Sequence, residues 1–391
     1  MKDIQKTSVD PHRPIRVLLI FGLAFSPLLN FAEASSWDAG GKPAERAAEF
    51  LLARHSDLLT EKGICDEKGR EIDGRLNHLI ASARAKGLTI DKQITDFILR
   101  ELNFSSSNLG GFPQCAFDRP IGHKLAWYGK TVAPGDIEAQ AEGSACPVGG
   151  IGSGSYEWTM SGNFRCWFLK SGWMVDETIW ADQFHVFMKQ GRRSIAQTLS
   201  TDAPPSGSLQ SWKWKYPAGK GSYYALFPKS GFSYEGNEAF PVELAVTQFS
   251  PVIPHNYKET SYPVAVYKWT AVNPTDRPAE LSVMLTWENM IGWEPVSRPG
   301  PSGFGWDRES GGNFNEFVRE GTAKAIVFRK KGADPRTGNA LTGTMCIAAS
   351  EIPGRTVVTT HADFDPAKDG ADIWAGFSTA GVLSNSSVSR T

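Results

Sequence analysis

Asp176, Glu177 and Asp182 stand close together in "KSGWMVDETIWADQFHVFMKQGRR" (170–193), among Trp173, Trp180, Phe184 and Phe187. Carboxylates set among indoles suit sugar recognition. A sugar ring stacks its apolar face on an aromatic side chain while a carboxylate accepts its hydroxyl protons. A glycosidase needs two such carboxylates at a defined separation, one of them with a raised pKa. Sequence alone does not bring two carboxylates together in space, and the same residues serve equally as polar groups of turns.

The run "PVGGIGSGSYEWTM" (147–160) poses a different question. Gly149, Gly150, Gly152 and Gly154 invite a phosphate-loop reading. A dinucleotide fingerprint spaced from Gly150 and Gly152 would need glycine at 155, where Ser155 stands. A Walker loop needs a lysine, and none is present. "SYEWTM", "SGN" and "FRCWFL" read as strand, tight turn and strand, so no helix N-terminus follows to hold an anion. The glycines are expected instead to permit close packing and positive φ.

Other chemistries find no constellation. His185, His255, His55 and His78 have no ligand-spaced partner, and Cys65, Cys115, Cys146, Cys166 and Cys346 show no metal-ligand spacing. The cysteines are read as mostly unpaired and buried, with one disulfide open if the chain is exported. No G-x-S-x-G elbow occurs. No residue is therefore assigned a catalytic or metal-ligating role, and no cofactor is expected.

The elements that must position these residues fall into distinct segments. Residues 37–105 carry helical periodicity in three stretches: Ala47, Ala48, Leu51 and Leu52; Leu76, Leu79, Ile80 and Ala83; and, after an Asp91 cap, Ile94, Phe97, Ile98 and Leu102. Residues 106–145 read as a linker or loop region. From about 146 onward, alternation of period two takes over. "PVELAVTQFS" (241–250) puts Val242, Leu244 and Val246 on one face and Glu243, Ala245, Thr247 and Phe249 on the other. "PVAVYKWTAVNPTDRPAELSVMLTW" (263–287) reads as a hairpin about "NPTDRP", with Leu281, Val283, Leu285 and Trp287 alternating. "AKAIVFRK", "TGTMCIAAS" and "RTVVTTH" continue the strand pattern to residue 361, while 298–317 reads as a Gly-rich insertion in a loop. The fold class is mainly β: a large antiparallel β-sandwich, preceded by a small helical segment.

Composition narrows the partners. The 41 basic and 42 acidic residues give a formal charge of −1, which excludes the basic footprint of a nucleic-acid or anionic-membrane surface. Counts of 13 Trp and 39 Gly agree with a β protein rich in turns. At the N-terminus, Arg13 and Arg16 precede the apolar run Val17 to Phe25, and Ala32-Glu33-Ala34 precedes Ser35. This is the grammar of a signal peptide over 1–34 and predicts export to the periplasm or the outside. The run is too short to span a bilayer.

Six blocks occur in one order: "PVGGIGSGSYEWTMSGNFRCWFLKSG", "ADQFHVF", "SWKWKYPAG", "YYALFPKSGFSYE", "TQFSPVIPHNYKETSYPVAVYKWTAVNPTDRPAELSVMLTWENMIG" and "DGADIWAGFSTAGVLSN". Together they closely resemble the N-terminal domain of glycoside hydrolase family 116, the family of the non-lysosomal glucosylceramidases, or bile-acid β-glucosidases. The resemblance runs from about Cys146 to Asn385. It implies a large β-sandwich over 146–391 leading into an (α/α)6 toroid. The toroid supplies the retaining pair, a Glu nucleophile and an Asp acid/base, and most residues that hold glucose. This chain offers no position for that pair, and the family's strands continue beyond "GVLSN". The sandwich is therefore expected to be truncated, to expose an unpaired edge and to be marginal or aggregation-prone alone. The expected function is a non-catalytic N-terminal domain of a β-glucosidase, meeting a glucoside or glycolipid only through a missing catalytic domain. The alternatives are an independent carbohydrate-binding sandwich using Trp173, Trp180 or Trp212 as platforms, and an interaction module acting through 37–105.

Overall fold

The computed structural model describes residues 8–9, 15–24, 112, 116–122, 145–205, 207–235, 242–299, 303–309, 311–332 and 340–384. The helical segment expected at 37–105, with Cys65, His55, His78 and the Asp91 cap, lies outside the described residues, as does Cys115.

Nineteen strands and two helices are found among the described residues. The strands begin with β1 (Ser8–Val9), β2 (Ile15–Ala24), β3 (Phe117–Pro120), β4 (Pro147–Val148), β5 (Ser155–Trp158), β6 (Phe164–Lys170) and β7 (Trp173–Val175). They continue with β8 (Gln183–Gln190), β9 (Arg193–Thr198), β10 (Gly221–Leu226), β11 (Lys229–Tyr234), β12 (Glu243–Phe249) and β13 (Val264–Val272). The last six are β14 (Ala279–Thr286), β15 (Glu294–Ser297), β16 (Phe304–Asp307), β17 (Asn313–Glu320), β18 (Ala323–Lys330) and β19 (Thr344–Ser350). The helices are α1 (Tyr257–Thr260) and α2 (Ala371–Ala380).

The strands pair into a nine-stranded sheet of order β17-β18-β19-β2-β13-β12-β11-β10-β3 and a four-stranded sheet of order β1-β14-β8-β9. A second four-stranded sheet, β4-β5-β6-β7, and the hairpin β15-β16 complete the set. Registered pairs are antiparallel throughout, as a mainly β chain with short connections requires. The nine-stranded sheet thus draws strands from 15–24 and 117–120 as well as from the region after 146.

Strand β8 shows how period two builds the layers. Phe184, Val186 and Met188 enter the main core between the sheets. Phe187 points the other way, into a second core with Trp212, Ile373, Trp374 and Phe377. Residues 183–188 are consequently all buried. Helix α2, which the strand pattern does not announce, covers this outer face of the smaller sheet. It buries Ile373, Trp374 and Phe377 and ends at Gly381, whose φ of +68° a side chain would disfavour.

Three expectations are corrected. The segment 263–287 is not a hairpin: β13 pairs with β12 and β2, and β14 pairs with β8 and β1. "NPTDRP" carries the chain from one layer to the other, and the Asn273 side chain holds the crossover by bonding Thr275 and Arg277. The Gly-rich 298–317 is not a plain loop, because β15 and β16 pair from Glu294↔Asp307 to Ser297↔Phe304 and β17 starts at Asn313. "RTVVTTH" forms no strand. The Val358 N–H donates to Glu351 and its carbonyl accepts from Lys324 Nζ, so side chains take the place of a ladder. The expected hairpin of β5 and β6 is present, its turn closed by the Gly162 N–H donating to the Thr159 carbonyl at 2.8 Å.

Candidate functional site

The three carboxylates of 176–182 serve different partners. Asp176 Oδ1 accepts from Arg165 Nε at 2.9 Å and from its Nη2 at 2.8 Å. Both side chains are almost buried, 9% and 11% exposed, so the pair is a lock of two hydrogen bonds between β6 and the end of β7. Cys166, at φ +52° where the β5–β6 register shifts, donates its thiol to the same oxygen at 3.5 Å. Burial first, then the charges of Glu157 and Asp176, pushes that thiol far up. It is no thiolate nucleophile. Glu157, beside it, is raised chiefly by burial.

Glu177 and Asp182 belong to a second cluster. Glu177 accepts from Arg308 Nη2 at 2.6 Å and from the Trp306 N–H at 3.1 Å. Arg308 also reaches Glu288 at 3.4 Å, and its guanidinium lies 4.8 Å from the Trp293 ring centroid. Asp182 is wholly buried, and its Oδ1 accepts the Glu288 N–H at 2.6 Å. Its Oδ2 has no hydrogen-bond partner among the described residues. Burial, then the Glu288 charge, holds the Asp182 carboxyl well above the usual range, and burial raises Glu288 as well. Two raised acids side by side resemble a catalytic pair in their titration alone. No sugar reaches a carboxyl with zero exposure, so Asp182 acts as a buried clamp on the chain after β14.

Because Asp182 keeps its proton when folded, the unfolded chain releases that proton at lower pH, and stability falls as pH rises above about 4. Asp182→Asn keeps an acceptor for the Glu288 N–H without the ionisable group. It is expected to match the wild type near pH 4.5 and exceed it by about 1 kcal/mol or more at pH 8, the scale of one mispaired buried polar group. Urea midpoints at the two pH values check this.

The glycine run packs against neighbouring backbone. The Gly149 N–H donates to Ser250 Oγ at 2.6 Å and the Ile151 N–H to the Thr260 carbonyl at 3.0 Å. A Cβ on Gly150 would meet the Tyr262 carbonyl at 2.5 Å, and one on Gly149 would strike Gly154. The bare backbone lets this loop press against the one carrying α1, as close packing at glycine demands.

A cavity of about 200 Å³ opens between the two main sheets beside β14. Trp269, Leu281, Val283, Leu285, Ile347 and His361 line it, and Glu280 is its one carboxylate among the described residues. β14 is paired on one side with β8 from Glu280 to Thr286, but β1 covers only Ala279 and Glu280 on the other. Among the described residues, no strand pairs with Leu281–Thr286 on that side. Leu281, Val283 and Leu285 remain only half-buried.

A family model described as "beta-glucosidase 2, glycosyl-hydrolase family 116 N-term" matches residues 145–391, more than half of the chain. The chain belongs to glycoside hydrolase family 116. In this family 116 domain the three candidate platforms differ in burial. Trp212 is buried, stacks on Trp214 at 5.6 Å and donates its indole N–H to the Gly370 carbonyl. Trp173 and Trp180 are half-buried, edge-on to Phe304 and Trp214 respectively. His185 is buried between Thr198 and Thr286, while His255 is exposed at φ +61° before α1. Cys146 and Cys166 are free thiols, and Cys346 is buried. No three His, Cys, Asp or Glu side chains converge as a metal site among the described residues, and no helix there is long and apolar enough to cross a membrane. Glu288 and Arg308 escape the sequence reading because they lie more than 100 residues from Asp182 and carry no local pattern.

Proposed function

We propose that this chain is the non-catalytic sandwich of a β-glucosidase or glucosylceramidase-like hydrolase, bracing a separate catalytic domain and carrying no hydrolytic site of its own. The observation that supports this reading is the placement of the carboxylates. Among the described residues, the cavity between the sheets has Glu280 alone, and the clustered acids are committed to Arg165, Arg308 and the backbone. Retaining hydrolysis needs two carboxyl groups about 5–5.5 Å apart across an open site. The substrate of the whole enzyme would be a β-glucoside, with a lipid or steroid aglycone suggested by the resemblance.

Purified chain is expected to release no aryl alcohol from an aryl β-glucoside above a mock preparation. Turnover abolished by Glu280→Gln would overturn the reading and place the chemistry in the cavity.

A further inference from the structure

Strand β2 is the most sequence-remote member of the nine-stranded sheet and occupies its middle. It pairs with β13 from Ile15↔Ala271 to Gly22↔Val264. On its other side it pairs with β19 from Leu19↔Ala349 to Ala24↔Thr344. β13 and β19 have no pairing with each other, so β2 alone joins a three-stranded part (β17, β18, β19) to a five-stranded part (β13 to β3). The neighbours are core strands: Val264, Ala265, Val266, Tyr267, Met345 and Cys346 are buried. Without β2, both would expose rows of unpaired amides and carbonyls along buried sequence, which a folded chain does not tolerate unfilled. The residues that fill the gap are the apolar run that also reads as a leader. One molecule cannot use them both ways, because cleavage after Ala34 removes the strand.

We propose that the interval between β13 and β19 is a strand-acceptor site for an extended apolar segment, occupied in cis by Ile15–Ala24 of the same chain and replaceable in trans by a peptide of that sequence. The specificity is that of strand addition. Backbone hydrogen bonds on both sides give affinity, and an eight-residue antiparallel register opposite β13 gives selection. β1 adds a second tie, pairing Ser8 and Val9 with Glu280 and Ala279 of the other layer. β1 and β2 thereby tie into both sheets. This inference is independent of the hydrolase reading.

The test uses the full chain with a specific protease site inserted after Gly41. After folding and cutting, the N-terminal piece is expected to co-elute with the remainder under native conditions. A fluorescent synthetic peptide of residues 13–26 in excess should displace it. The same peptide with Leu19→Pro should bind about tenfold more weakly or worse, since Leu19 is in register with both Tyr267 and Ala349 and proline donates no ladder hydrogen bond. Release of the piece on cutting, with the remainder unchanged in hydrogen exchange, would overturn the proposal. A second reading needs no variant. In the uncut chain, amides of 17–23 should be protected as strongly as those of 264–271. Free exchange at 17–23 beside protected 264–271 would equally overturn it.

Discussion

Trp158→Ala is expected to cost about 3–5 kcal/mol of unfolding free energy, the range for removing a fully buried large aromatic. Trp158 has no exposed surface and joins three sheets at one point. From β5 it meets Phe184 of β8 at 4.8 Å, Phe232 of β11 at 4.4 Å and Trp269 of β13 at 6.4 Å. It also stacks on Phe164 across its own hairpin at 5.7 Å. Its indole N–H has no hydrogen-bond partner among the described residues, so truncation removes packing and no polar contact. The void cannot close easily, because the rings around it are held by different sheets. Trp158→Phe keeps most of the packing and drops the orphan donor, and should cost less than about 2 kcal/mol. Urea denaturation of both variants distinguishes the cases. A loss below about 1 kcal/mol for the alanine variant would show that the β5–β6 hairpin is not part of the cooperative core.

That hairpin was legible in the sequence, and the reason is local. "SYEW" and "FRCWFL" alternate, and Gly162 supplies the tight turn, so neighbours in sequence became neighbours in the sheet. Legibility failed where pairing was long-range. "NPTDRP" has every mark of a hairpin turn, yet β13 and β14 separate into different layers because each finds better-matched partners in β12 and β8. Alternation specifies which face of a strand is apolar and leaves open which strand lies beside it. Helix α2 was hidden for another reason: "DGADIWAGFSTAG" is short and glycine-flanked, and its burial depends on Trp212 and Phe187, distant in sequence.

The candidate site was legible as composition and not as geometry. Glu177 and Asp182 do share a cluster around Glu288 and Arg308, with Trp293 and Trp306 beside it, while Asp176 sits with Arg165 and Cys166. Arg165 and Arg308, one upstream and one far downstream, hold Asp176 and Glu177, and the Glu288 N–H holds Asp182. The Arg165–Asp176 pair is nearly closed and the Arg308–Glu177 pair stays partly open to solvent, and nothing in the spacing of 176–182 announces either arginine. The glycine run was read more fully, because the requirement it meets is negative. A missing lysine and a missing third glycine remove a phosphate cradle, and the backbone contacts of Gly149 and Gly150 supply the positive reason.

His185→Gln is expected to remove most of the acid sensitivity that one residue confers on this fold. His185 is completely buried on β8, its Nδ1 3.0 Å from Thr198 Oγ1 and its Nε2 3.1 Å from Thr286 Oγ1. The Thr286 hydroxyl donates its one proton to the Ala181 carbonyl at 2.6 Å. Its oxygen therefore accepts from Nε2–H, and Nδ1 accepts from Thr198. Trp212 and Trp374 enclose the ring edge-on at 4.6 and 5.5 Å. A charged imidazolium has no carboxylate there to offset its desolvation, and burial lowers the pKa from 6.5 to about 3. Between those values the unfolded chain binds a proton that the folded chain refuses, so stability falls as pH drops from 6.5 towards 3. The slope approaches about 1.4 kcal/mol per pH unit, or on the order of 4–5 kcal/mol across the window. The glutamine amide is neutral throughout and can still bond one threonine. The variant should be less stable than the wild type at pH 7.5, and the gap should narrow and reverse as the solution is acidified. Asp182 and Glu288 titrate in the opposite sense and are present in both proteins, so they cancel in the difference. Parallel urea curves at pH 7.5, 5.5 and 4.5 give that difference directly. A gap that stays constant with pH would mean that His185 accepts its proton in the folded state, and the threonine-bridged neutral ring would have to be abandoned.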